Sequence, residues 1–178
     1  MKKKNKAIYL LLLMPFVYFA TACFVVWLVK TSGIYPSGSD TMYHVYRGDY
    51  VYNAIKSGNW YPLYDPAWYN GVEILRYWSP FPAYVMAFCQ YLAGGSQFGA
   101  YLFYIGGVCF LGACVWPFIG RGFNRPYMGA FIGLLWFFMP NNLCAIFIEG
   151  NHARSLSKIL LPVFIYSVYK FLLNHNLR

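Results

Sequence analysis

AIYLLLLMPFVYFATACFVVWLV, residues Ala7 to Val29, carries no charged side chain, and Lys2, Lys3, Lys4 and Lys6 stand just before it. A helix rising 1.5 Å per residue over this run crosses the hydrocarbon core of a bilayer. The run exceeds the roughly 7 to 15 residues of a secretory h-region and ends without an A-x-A site, so it reads as an uncleaved first span. Ala20-Thr21-Ala22-Cys23 has the small residues of a lipoprotein cleavage site, but Phe24 to Val29 carry the apolar run past the cysteine.

The remaining composition agrees. Of 178 residues, 60% are hydrophobic and 11% charged, which excludes a soluble enzyme, a disordered tail and a disulfide scaffold. The net charge of +9 would point a soluble chain toward nucleic acid. Here the basic residues flank apolar runs and set orientation instead, so no nucleic-acid partner is expected. Cys23, Cys89, Cys109, Cys114 and Cys144 all lie in apolar stretches without CxxC spacing, and no zinc site or disulfide framework is legible.

Between Lys30 and Arg76 lie Asp40, Asp49, Asp65 and Glu73, four of the five acids. Residues 30–96 therefore read as an extracytoplasmic loop. One span over 97–119 places Arg121, Arg125, Lys170 and Arg178 on the cytoplasmic side with the N-terminal lysines and leaves every acid outside. Two spans between Tyr77 and Gly120 would reverse that bias. Phe81 to Leu92, ending at Gly94-Gly95, becomes an interfacial helix. A third span fits 126–140, with Pro140-Asn141-Asn142 as its outer end or a kink, and a fourth fits 156–173. The expected fold is all-α, a polytopic membrane protein of about four transmembrane helices with amphipathic surface helices in the first outer loop. It forms a single membrane domain, the N-terminal module of a longer protein, in the plasma membrane with its N-terminus cytoplasmic.

Ser37-Gly-Ser-Asp40 leads into Thr41 to Ser57, whose Tyr43, Tyr50, Val51, Ala54 and Ile55 recur at helical spacing before Gly58. Tyr46 or Arg47 completes that repeat, and on the helix Asp40, His44 and Arg47 fall at i, i+4 and i+7 on one face. Two readings of Asp40 stand side by side: a helix N-cap, or a base or divalent-metal ligand. His44 and Arg47 are either a solvated polar face or phosphate contacts. Trp60, Trp68 and Trp78 in the Tyr- and Trp-rich stretch that follows form an interfacial belt or stack on a sugar. Asp65, before Pro66, reads as a turn former. After the third span Glu149, His152 and Arg154 stand together on the face that carries Asp40.

These features, in order, resemble the N-terminal part of the GT-C class of membrane glycosyltransferases. The resemblance rests on Gly38-Ser-Asp40 before a surface helix, Gly58-Asn-Trp-Tyr-Pro62, the aromatic-Pro entry Tyr77-Trp-Ser-Pro-Phe-Pro82, the Arg121 to Arg125 turn and Glu149. The layout is also similar to bacterial membrane proteins labelled as 6-pyruvoyl-tetrahydropterin synthase-related, a label matched by no legible pterin site. The resemblance implies sugar transfer from a polyprenyl-phosphate donor at the outer membrane surface, given the rest of a longer or split chain. Asp40 would be the base or a Mg or Mn ligand and Glu149 a second acid and metal contact. His44, Arg47, His152 and Arg154 would bind phosphate. Glu149-Gly-Asn151 departs from the pair of acids expected there. The competing reading is a non-enzymatic multipass membrane protein, a transporter piece or assembly partner.

Overall fold

The computed structural model describes residues 2–36 and 38–174; Ser37, which opens the approach to Asp40, and Arg178, counted above on the cytoplasmic side, lie outside them. Among the described residues the helices are α1 (Lys2–Ser32), α2 (Thr41–Lys56), α3 (Phe81–Leu92), α4 (Gln97–Gly122), α5 (Pro126–Leu135), α6 (Pro140–Leu143) and α7 (His152–Asn174). A 3-10 turn, Trp136–Phe138, follows α5, and a π-helical turn, Cys144–Ile148, follows α6. No strand occurs among the described residues; one isolated bridge joins Asp65 and Val72.

The protein is an all-α polytopic membrane protein. Leu12–Ser32, Gln97–Gly122 and His152–Leu173 are each long and apolar enough to cross a bilayer, and Pro126–Phe138 with Pro140–Ile148 make a fourth if the bent pair is one span. Of the two readings of Pro140-Asn141-Asn142, an outer end or a kink, the kink forms, with a bend of 44°. The chain extends at Met139, with ψ 118°, and resumes helix at Pro140, which has no N–H to give. The amide Nδ2 of Asn142 donates to the Trp136 carbonyl at 3.0 Å, supplying the partner that the break removed. A side chain that satisfies freed carbonyls in this way is what makes a broken helix tolerable within a membrane protein.

Two compact units divide the chain. One comprises Met1–Trp27, Gly106–Leu143 and Arg154–Arg178; the other comprises Leu28–Ile105 and Cys144–Ala153. In the first unit the apolar helices meet through small residues. Gly112 faces the Trp136 indole and Gly120 the backbone of Gly129, each with no space for a Cβ. Close approach of this kind replaces the hydrophobic drive that lipid cannot supply. Tyr18 is fully buried there, its hydroxyl donating to the Ala130 carbonyl at 2.8 Å.

In the second unit α2 packs on α3 around Val51, Ile74, Leu75, Ala83 and Ala87. Three tyrosines then fasten the aromatic loop to these helices. Tyr46 donates to Asp65 Oδ2, Tyr50 to the Tyr64 carbonyl and Tyr84 to the Trp60 carbonyl, all at 2.6 Å. Asp65 is buried and also accepts the Ala67 N–H at 2.9 Å, the turn its place before Pro66 implies.

One expectation about α2 inverts. A surface helix should turn its polar side to water, yet Thr41, His44, Arg47, Gly48 and Val51 form the buried stripe. The solvated-face reading of His44 and Arg47 is therefore replaced by burial. Sequence periodicity missed this because the partners covering that face lie far along the chain.

Candidate functional site

The residues just before α2 are tied to a segment more than a hundred residues away. The Asp40 N–H donates to the Glu149 carbonyl at 2.9 Å, and Ser39 Oγ donates to the same oxygen at 3.1 Å. Glycines make the approach feasible. Gly150 has φ +66°, and a Cβ there would collide with Thr41 Oγ1 and lie 2.6 Å from the Thr41 nitrogen; a Cβ on Gly38 would lie 2.7 Å from the Gly150 nitrogen. The π-helical turn delivers Glu149 to this point, and such turns concentrate at functional sites.

This backbone junction changes the meaning of Asp40. The residue occupies the N-cap position, but its side chain makes no capping bond. The other acids are occupied. Asp49 Oδ1 accepts from Gln90 at 2.7 Å, Asp65 from Tyr46, Glu73 pairs with Arg76, and Glu149 Oε1 accepts from the Cys144 thiol at 3.6 Å. Among the described acids, only the half-buried Asp40 carboxylate has neither a hydrogen bond nor an ion pair.

Beneath the junction the imidazoles of His44 and His152 stack with centroids 5.2 Å apart and planes 27° apart. His44 is 4% and His152 1% exposed. Burial and then the Arg47 charge push the His44 imidazole down to about 4, with Asp40 pulling the other way, so His44 is neutral at physiological pH. The rings of Tyr104 and Tyr101 flank His152 at 4.8 and 5.5 Å, and the Tyr104 hydroxyl donates to the His152 carbonyl at 2.7 Å. Arg47 is 1% exposed, donates to the Ile74 carbonyl at 3.1 Å and lies 5.4 Å from the centre of the Tyr43 ring. Arg47 Nε, Thr41 Oγ1 and His152 Nε2 have no hydrogen-bond partner among the described residues.

Of the residues singled out in the sequence, Asp40, His44, Arg47, Glu149 and His152 thus belong to one unit and gather about α2. Arg154 belongs to the other unit, where its exposed guanidinium donates to Asn141 Oδ1 at 3.1 Å. Trp68 and Trp78 line an open cleft of about 570 Å³ with Ser39, Met42, Tyr43, Tyr69 and Val72. Trp60 does not line it and is 71% exposed. Sequence reading missed Tyr43 and Ser39 as lining residues and Tyr104 as the support of His152. Tyr43 was counted only as part of the apolar repeat, although its neighbour His44 was a candidate.

Fold and site together define a helical membrane protein with an acid-bearing junction between the segment before α2 and the segment before α7. The family model of the 6-pyruvoyl-tetrahydropterin synthase related domain, a membrane protein, matches residues 75–178, and the chain belongs to that family. The match includes Trp78, Glu149, His152 and Arg154; Asp40, His44, Arg47 and Trp68 precede it. No curated protein and no solved structure matches the chain.

Proposed function

We propose that this chain takes part in GT-C-type sugar transfer from a polyprenyl-phosphate donor to an acceptor hydroxyl at the extracytoplasmic surface of the plasma membrane, with its N-terminus cytoplasmic. The supporting observation is the Asp40 carboxylate, which makes no capping bond and no ion pair although the Asp40 N–H is tied to the Glu149 carbonyl. Asp40 accepts the proton of the acceptor hydroxyl as that oxygen bonds to the anomeric carbon. The bond from that carbon to the phosphate oxygen breaks, and the phosphate leaves with the electron pair. Glu149 is the second acid of the same junction. His44, Arg47 and His152 are too buried to meet a lipid-linked phosphate directly and act by holding the Asp40 turn.

A Mg²⁺ or Mn²⁺ ion would draw on the carboxylates of Asp40 and Glu149. Among the described residues no group of three His, Cys, Asp or Glu assembles. A two-carboxylate donor set suits Mg²⁺, which keeps waters and substrate phosphates as its other ligands.

The test uses sealed right-side-out vesicles bearing the full chain, a labelled polyprenyl-phosphate hexose in the membrane and acceptor supplied only outside. Asp40→Asn should lower turnover roughly a hundredfold or more, the lower range for loss of a general base, whereas Asp65→Asn acts through folded yield alone. Equal turnover by Asp40→Asn and wild type, or transfer only from inside-out vesicles, would remove the catalytic or the orientation part of the reading.

A further inference from the structure

The tyrosines around the aromatic loop divide into two sets. Tyr46, Tyr50 and Tyr84 have their hydroxyls committed to the loop, as described. The hydroxyls of Tyr43 and Tyr69 and the indole N–H groups of Trp68 and Trp78, all on the cleft, make no hydrogen bond to any described residue. Polar tips on an apolar wall are what an amphipathic ring ligand needs.

The rings are also arranged as a corner. Tyr43 meets Trp68 at 57° with centroids 5.2 Å apart and Trp78 at 64° with centroids 5.9 Å apart. Tyr46 packs against Trp68 at 4.6 Å and Arg47 lies over Tyr43, so the half-exposed Trp78 is the most open ring of the corner. At the rim the turn that carries Tyr69 is strained, for Tyr69 (φ 48°) and Asn70 (φ 64°) are both left-handed, and Tyr69 is 86% exposed. Two consecutive non-glycine residues held there cost energy that the fold recovers elsewhere, a pattern that concentrates at ligand clamps.

No lining residue carries a charge. The nearby cation, Arg47, is 1% exposed and lies 5.4 Å from the centre of the Tyr43 ring, so it offers the cleft no accessible charge. Asp40, next to the lining residue Ser39, would repel an anion.

We infer that the cleft is a subsite for an uncharged pyranose ring, held between Tyr43, Trp68 and Trp78, and that it excludes sugar acids. The inference rests on the sugar-transfer reading and narrows it: the ring in this cleft is a neutral hexose, and the phosphate of the donor lies elsewhere. Its C–H faces rest on the aromatic rings, while its hydroxyls bond the free indole and phenol tips and Ser39 Oγ.

Saturation-transfer NMR on the full chain in nanodiscs of zwitterionic lipid tests this with methyl hexopyranoside and glucuronate as probes. Wild type should saturate the C–H protons of the methyl hexopyranoside and not those of glucuronate. Trp68→Ala and Trp78→Ala should each weaken the signal roughly fivefold, from the energy of one aromatic contact, and Trp60→Ala should leave it unchanged. Two substitutions on the cleft keep the test valid if one of them does not fold. No saturation above empty nanodiscs, equal saturation of glucuronate, or equal loss in Trp60→Ala and the cleft variants would overturn the subsite. Asp40→Asn should still bind the hexopyranoside, so failure of catalysis and failure of binding are read separately.

Discussion

The aromatic loop over residues 60–72 and the junction at 38–44 and 149–152 belong to the same unit and are both rich in polar groups, yet they use them in opposite ways. In the loop, Asp65 is buried with both carboxylate oxygens bonded, and two further tyrosine hydroxyls meet backbone carbonyls. In the junction the backbone makes the bonds, while the Asp40 carboxylate, Thr41 Oγ1 and His152 Nε2 remain without partners. Leaving a buried donor or acceptor unpaired costs about 1–3 kcal/mol. A fold that bonds the buried carboxylate of the loop on both oxygens and leaves the junction's polar groups unpaired separates what holds the loop in place from what the junction leaves for a ligand.

The strongest way to break the comparison is Gly150→Ala. The added Cβ collides with Thr41 and forces a side chain into left-handed φ, which together cost about 3 kcal/mol or more. Gly33→Ala, also at left-handed φ (+68°) but with open space around its Cβ, carries the strain alone. Thermal melting in detergent should therefore show a far larger loss for Gly150→Ala. Equal losses would mean that the two loops are not locked through their glycines.

Acid should loosen the junction before the loop. His44 titrates near 4 when folded and near 6.5 when unfolded, so between those values the unfolded chain binds more protons. Its contribution is full above about pH 6.5 and is lost as the pH falls toward 4, on the order of 3 kcal/mol in all. His152 is a second buried imidazole in the same junction, so His44→Gln should reduce but not abolish the pH dependence of stability across that window, and an unchanged slope would assign the acid sensitivity to other groups.

A smaller effect sharpens the loop side. Tyr46→Phe removes the hydrogen bond that, with burial adding to it, pushes the Tyr46 phenol up to about 12, and leaves Asp65 with one partner fewer. The cost should be about 1–3 kcal/mol in melting, without effect on the proposed turnover beyond folded yield. A turnover defect at full folded yield would extend the site into the loop.

Much of the helical layout was legible because its signals are local. Phe81 to Leu92 begins after Pro80 and ends before Gly94-Gly95, and α3 has those bounds. The span starting at Gln97 likewise begins where the polar stretch ends, and its far end lies three residues beyond the expected one, at Gly122. Pro140 allowed an outer end or a kink, and the kink forms because a side chain of the following turn, Asn142, bridges the break and lets helix resume. The buried face of α2 was illegible for a different reason. Its stripe of Thr41, His44 and Arg47 looks amphipathic in isolation, and only contacts to Ile74 and His152, distant in sequence, turn it inward. Asp40 and Glu149 could be placed on one side of the membrane by charge counting, but nothing local announces that the Asp40 N–H bonds the Glu149 carbonyl. Trp60 and Trp68 are chemically alike, and only packing separates the exposed ring from the cleft.

The central claim is that two distant loops present one acidic site. A double-substitution cycle on turnover measures it most directly, with Asp40→Asn, Glu149→Gln and the pair compared in the same sealed vesicles at equal folded yield. Residues that act as a unit are strongly non-additive, so the pair should lose little more activity than Asp40→Asn alone. If the two losses simply multiply, Asp40 and Glu149 act independently, and the junction is a structural lock without a shared chemical role.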